Sequence, residues 1–203
     1  GNDLSADTTL MACVKHYALY GAAEAGRDYN TVDMSRVTAM NYYMRPYQAA
    51  VEAGVGSIMT SFNEFESIPA TGNTWLLNDV LRKQWGFNGF VVSDFTAIAE
   101  MVNHGIGNRQ EVGVKALKAG VDMDMIADCY HAVLKKSLEE GKITEAEIDS
   151  ACRRILIAKY QLGLFHDPYK YCNPKRAAKE FLSVNNVSAA RRIAAESFVL
   201  LKN

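Results

Sequence analysis

Four places in the chain set polar or charged side chains directly behind an apolar run of strand length: Lys15-His16, Ser61-Phe62-Asn63, Ser93-Asp94-Phe95, and Asp122 with Asp124. A carboxylate at such a place suits nucleophilic or proton-transfer chemistry, and a lysine suits hydroxyl binding or a Schiff base. The same aspartates also serve as helix caps or structural acceptors, so one acid at a strand end decides nothing alone. A Lys-His pair together with two acidic strand ends says more, because such clusters are costly to desolvate unless they are paired or used. For Asp122 and Asp124 both readings stand: one to orient Lys15 or the rim of the sheet, the other to cap the following helix.

The elements that must position these residues follow from the apolar pattern. Strands are expected over residues 10–17, 55–61, 90–94 and 121–125. Ser35 can cap a helix running toward Glu52, interrupted at Pro46 and ended by Gly54. Thr71 or Asn73 can cap the next, in which Trp75, Leu76, Val80 and Leu81 share helical spacing. Helices are also expected over 108–118 and 130–140. Three β-then-α repeats, completing a fourth, imply parallel strands, because a crossover helix returns the chain to the same edge. Strands this uniformly apolar belong to a barrel or a doubly wound sheet, whose C-terminal strand ends carry the chemistry. After Thr144 and Glu147, which make a capping box, only helices are expected, one from 174 to 181 and one from about 186 to 196. Ser197-Phe198-Val199-Leu200-Leu201-Lys202-Asn203 reads as a strand entering another unit.

Composition narrows the classes further. The chain has 203 residues, with 22 Lys+Arg against 23 Asp+Glu, a net charge of -1, and 49% hydrophobic residues. That is an ordinary globular composition with no basic field for nucleic acid. No apolar stretch approaches a membrane span. Cys13, Cys129, Cys152 and Cys172 have no metal-ligand spacing, and the four histidines are scattered, so no metal is expected; the cysteines read as buried free thiols. Gly1-Asn2-Asp3-Leu4-Ser5 has neither a basic start nor an apolar core, so it does not read as a signal peptide.

Several ordered motifs resemble glycoside hydrolase family 3. Residues 80–97, Val-Leu-Arg-Lys-Gln-Trp-Gly-Phe-Asn-Gly-Phe-Val-Val-Ser-Asp-Phe-Thr-Ala, are similar to the active-site signature of that family. Val14-Lys15-His16-Tyr17-Ala18-Leu19-Tyr20-Gly21 resembles its Lys-His substrate motif. The run from Gly26 to Ser35 and the Ile68-Pro69-Ala70-Thr71 turn resemble the family's periplasmic β-glucosidases, and residues 119–125 resemble its next strand. The likeness extends from about Met11 to the end of the chain.

The resemblance implies a retaining β-glucosidase without metal or cofactor, acting on β-glucosides or short oligosaccharides. It makes Asp94 the nucleophile and assigns Lys15 and His16 to the hydroxyls of the first sugar. Arg27 matches a further sugar-binding arginine, and Met59, Phe62 and Phe95 are candidates for lining the pocket. Phe62 stands where relatives carry tyrosine, Phe95 where they often carry tryptophan, and Glu66-Ser67 where Asn-Gly is usual. The Lys-His-Phe-Pro-Gly-His run of the family's N-acetylglucosaminidases is replaced here, which favours a glucosidase. The implied fold is α/β: the C-terminal half of a (β/α)8 barrel over residues 1–165, then a helical linker and the first strand of a following α/β domain over 166–203. A complete barrel takes about 250 residues. The resemblance therefore places the general acid/base, the other barrel half and the second domain outside this chain, and the compartment as periplasm or secretion. Two other readings compete: an aldolase with Lys15 as Schiff-base residue, and a catalytically incomplete chain with a sugar-binding or structural role. A half-barrel is also expected to dimerise or aggregate through its open strand edges.

Overall fold

A computed structural model describes residues 4–202, and the expectations placed on Gly1-Asn2-Asp3 and on Asn203 lie outside the described residues. Strand β1 (Cys13–Tyr17) and the two-residue β2 (Thr31–Val32) come first, followed by α1 (Arg36–Thr38), which continues through a wider-turned stretch, Ala39–Tyr43, into α2 (Arg45–Glu52). Ser35 caps α1, its side chain accepting the Thr38 N–H, and Pro46 stands in the first turn of α2, where its missing N–H costs nothing. The break expected at Pro46 thus falls just before it, at Met44.

Strand β3 (Ser57–Thr60) precedes β4 (Glu64–Phe65) and β5 (Ile68–Pro69). A helix with wide turns, Trp75–Gln84, follows, and the Asn73 side chain accepts the Leu76 N–H at its start. Strand β6 (Phe90–Val92) leads to α3 (Ala97–Glu100) and α4 (Arg109–Ala119); then come α5 (Cys129–Glu139), α6 (Glu145–Gln161), α7 (Pro174–Glu180) and α8 (Val184–Glu196). The Thr144–Glu147 capping box forms as expected, and Asn108 with Glu111 makes a second one.

The main sheet is parallel in the order β1-β3-β6, with a helical crossover between each pair. Ser57, Ile58 and Met59 face Phe90, Val91 and Val92 in register, and Cys13 and Val14 face Ser57 and Ile58. The N-terminal ends of β3 and β6 lie so close that a Cβ at Gly89 would stand 2.2 Å from the Gly56 carbonyl oxygen, so only glycine fits there. Ile58, Val91, Leu76, Leu77, Leu81 and Phe65 are fully buried in one core between sheet and helices. Each such side chain contributes about 1.5–3 kcal/mol of transfer free energy.

Three expectations need correction. Residues 121–125 do not form a full fourth strand: Val92 and Met123 make a single parallel bridge. Side chains take the ladder's donors there, with Asp122 Oδ2 accepting the Val91 N–H at 2.7 Å and Ser93 Oγ the Met125 N–H at 2.8 Å. Residues 197–202 are neither helix nor strand and pair with no described strand, so their apolar side chains stay exposed. Of the cysteines, only Cys129 is buried; Cys13, Cys152 and Cys172 are exposed free thiols.

Beside the main sheet lies a small one that the apolar pattern does not announce: β2 pairs parallel with β4, and β4 antiparallel with β5. Glu66 and Ser67, both left-handed with φ of 55° and 60°, form the two-residue turn between β4 and β5. That is the geometry for which Asn-Gly is the favoured pair.

Candidate functional site

The C-terminal ends of β1, β3 and β6 gather the residues expected to carry chemistry. Asp94 follows β6 by two positions. A turn holds it: its carbonyl accepts the Ala97 N–H at 3.1 Å, and its Oδ1 accepts the Phe95 N–H at 2.6 Å. Ser93, fully buried, donates from Oγ to the Asp94 carbonyl at 3.0 Å. The outer oxygen, Oδ2, faces His16 Nε2 across 3.4 Å, with side chains 15% and 28% exposed. Two neighbouring strands therefore meet in one carboxylate–imidazole contact, open to solvent and with hydrogen-bonding capacity left over.

His16 is held from behind. The Tyr47 hydroxyl donates to its carbonyl at 2.5 Å, and the peptide bonds Lys15-His16 and Tyr17-Ala18 are cis. Tyr17, by contrast, is core: it is fully buried and its hydroxyl donates to the Leu76 carbonyl at 2.8 Å. Lys15 is exposed, and its ammonium makes no hydrogen bond or ion pair with a described residue. Arg27 is likewise exposed, with no such contact to Asp94. Met59 is half-buried on β3. Phe62 is half-buried against Tyr29, ring centroids 4.6 Å apart. Phe95 is 55% exposed and touches Asp94 through its backbone.

Several neighbours were not singled out from the sequence. Tyr20 tilts over the His16 ring at 5.0 Å and donates its hydroxyl to Asp28. Burial first, then that hydrogen bond and the nearby Asp28 and Asp94 charges, push the Tyr20 phenol well up, so it stays a neutral donor. Glu24 and Asp28 are both exposed, Asp28 with the Tyr20 hydroxyl on its carboxylate, whereas Glu64 is half-buried. Glu64 accepts from the Thr31 hydroxyl at 3.0 Å and meets His104 Nδ1 at 2.5 Å. That contact joins the segment after β3 to the one after α3. The sequence signal was present but weak: Tyr20 and Glu64 each stand a few residues beyond a strand end.

The acids of residues 121–125 are committed elsewhere. Asp122 accepts from Arg82 at 2.7 Å, Arg154 at 2.6 Å and the Val91 N–H at 2.7 Å, so it does not orient Lys15. Burial pushes its carboxyl up and the Arg82 guanidinium down, against their mutual attraction. Asp124 caps α5, accepting the Cys129 and Tyr130 N–H groups at 2.6 and 3.1 Å. A cavity of about 1000 Å³ lies at the opposite end of the sheet, lined by Met11, Gly56 and Gly89 before the strands begin. It is not near Asp94.

No group of three or more metal-ligating side chains occurs among the described residues. Residues 5–158 match the pattern described as Glycosyl hydrolase family 3 N terminal domain. The chain belongs to glycosyl hydrolase family 3. It is 47% identical to a periplasmic β-glucosidase of Salmonella typhimurium, over 96% of this chain and 26% of that protein. A β-xylosidase of Formosa agariphila is 36% identical, with 100% of this chain and 29% of that protein covered. The structure superposes on a β-glucosidase from Listeria innocua with a TM-score of 0.93 at 43% identity, covering 100% of this chain and 28% of that one. This family 3 chain thus has the α/β fold of that relative's matching region and spans a little over a quarter of the relatives' length.

Proposed function

We propose that this chain supplies the nucleophile and part of the first sugar site of a retaining β-glucosidase. The single observation that carries the reading is the Asp94 carboxylate, open on one side and 3.4 Å from His16, at the strand ends of a family 3 chain. Asp94 attacks the anomeric carbon and the aglycone oxygen leaves, taking a proton from a general acid outside this chain. Water then attacks the glycosyl–Asp94 ester and gives its proton to that same group, which restores both carboxyls. His16 bonds a sugar hydroxyl while flanking the nucleophile, and Lys15, exposed beside it, bonds a second; Arg27 reaches the sugar from its loop. Phe62, Phe95 and Met59 give the apolar surface on which a pyranose face packs.

In this reading residues 1–165, with the parallel sheet, are the C-terminal half of an eight-stranded barrel, and residues 166–203 lead toward a second domain. The printed names of the Salmonella and Listeria proteins support β-glucosides as substrates, and the Salmonella name supports the periplasm. With one of the two required carboxylates, the 203-residue chain by itself is expected to hydrolyse aryl β-glucosides negligibly.

The test is Asp94→Ala in the longer protein with azide added. Hydrolysis should fall by several orders of magnitude, and azide should restore turnover as an α-glucosyl azide, because it enters the vacated face. Retained hydrolysis, or a β-configured azide product, overturns the assignment.

A further inference from the structure

The His16 ring has one long polar contact, to Asp94 at 3.4 Å, and is more than a quarter exposed. Nothing in that contact alone holds the imidazole in one rotamer. What does so lies on its other side. Tyr20, four residues on, lays its ring over the imidazole with centroids 5.0 Å apart and planes 33° from parallel. Tyr20 is itself fixed at its far end, where its hydroxyl donates to Asp28 Oδ1. The same oxygen accepts the Tyr29 N–H at 3.2 Å. Tyr29 holds a left-handed backbone with φ of 62°, a conformation bulky residues adopt only when surroundings enforce it. Its ring packs at 4.6 Å on Phe62, which in turn stands 6.3 Å from Tyr20. Asp28, Tyr20, His16 and Asp94 therefore form one contiguous series, ending on the carboxylate.

We infer that Tyr20, anchored by Asp28, is a positioning residue: its ring sets the His16 imidazole against Asp94 and thereby fixes how the sugar is gripped. The inference rests on the proposed roles of Asp94 and His16. It predicts that Tyr20 matters through His16 and through nothing else at the site. Because the Tyr20 hydroxyl remains a neutral donor, its bond to Asp28 persists across the pH range in which an imidazole titrates. A Tyr20 that merely packed its loop would act on stability and leave His16 alone.

The first arm uses the longer protein, labelled at histidine, and nuclear magnetic resonance of the histidine side chains. Tyr20→Leu should shift the His16 ring resonances, through the lost ring current, and leave those of His104 and His131 in place. Asp28→Asn should broaden or shift the His16 signals to a lesser degree. Unmoved His16 resonances in Tyr20→Leu overturn the inference. The second arm is a double-mutant cycle on aryl β-glucoside hydrolysis by the longer protein. Tyr20→Leu should lower kcat/KM on the order of tenfold, the scale of a small misplacement at a reacting centre. Tyr20→Phe, which keeps the ring, should recover most of that loss. In a His16→Ala background the Tyr20→Leu effect should shrink to within about twofold. Losses that multiply in full in the double mutant overturn it. If the unmodified longer protein hydrolyses no glucoside, the functional reading fails, and the resonance arm alone still decides whether Tyr20 sets the imidazole.

Discussion

Two aspartates, one just past the end of β6 and one on the segment bridged to it, have opposite fates. Asp122 is 1% exposed and saturated, with two arginines and a backbone N–H on its oxygens. Asp94 is 15% exposed, accepts one backbone N–H, and leaves Oδ2 with a single imidazole at 3.4 Å. Asp122 ties strand ends to the Trp75–Gln84 helix, through Arg82, and to α6, through Arg154. It is committed to holding the fold. Asp94 keeps an oxygen free for an incoming atom. Charge and position at a strand end are shared; what differs is unspent hydrogen-bonding capacity, which the proposed nucleophile has and Asp122 lacks.

That contrast breaks most readily by amide substitution at each site. Asp122→Asn leaves two half-buried guanidinium groups without the buried counter-charge between them and should cost about 3–5 kcal/mol in urea unfolding. Asp94→Asn should change stability by less than about 1 kcal/mol, because the backbone bond to Phe95 survives and the imidazole contact is long. Equal losses would erase the distinction.

Next in size is the Glu64–His104 contact, with side chains 19% and 13% exposed. Glu64→Gln or His104→Ala should each cost about 2 kcal/mol, the worth of one charge-assisted hydrogen bond in a half-buried place. Their double mutant should cost less than the sum, since both remove the same bond.

A smaller effect of opposite sign is expected at the β4–β5 turn. Ser67→Gly should stabilise by about 0.5–1 kcal/mol, relieving a left-handed serine at some entropic cost in the unfolded chain. Thermal unfolding measures it as a rise in Tm.

The smallest effect is the pH response of Glu66, whose carboxyl is held below its ordinary value by the Arg36 hydrogen bond. A lowered folded pKa means stability fully present above the ordinary carboxylate pKa and lost as pH falls from there through the lowered folded value. With both groups exposed, Arg36→Gln should remove only a few tenths of a kcal/mol at neutral pH and nothing in acid.

The sequence made the β-then-α alternation legible because Val91-Val92, Ile58 and the amphipathic helices carry strong local periodicity. The caps at Ser35, Asn73 and Thr144 were equally legible, since each needs only residues within four positions. Also readable, through the resemblance, was that His16 and Asp94 share a site across two strands. What escaped was non-local or unpatterned. Strands of two residues, such as β2 and β4, are too short to show a period. The fourth strand is curtailed by side chains of Asp122 and Ser93 that bond the ladder's own N–H groups, which no hydropathy pattern encodes. The half-burial of Glu64 has no local signal, because its partner His104 is brought up by the fold from 40 residues away. Asp122 could equally have faced Lys15 until Arg82 and Arg154 were seen to surround it.

Asp94, and not its saturated neighbour Asp122, is the carboxylate we propose to react. A 2-deoxy-2-fluoro-β-glucoside with a good leaving group, incubated with the longer protein and followed by peptide mass spectrometry, tests this directly. The account predicts one sugar ester, on Asp94, and no ester on Asp122 or Asp124. A sugar bound to any other residue, with Asp94 unmodified, would contradict it.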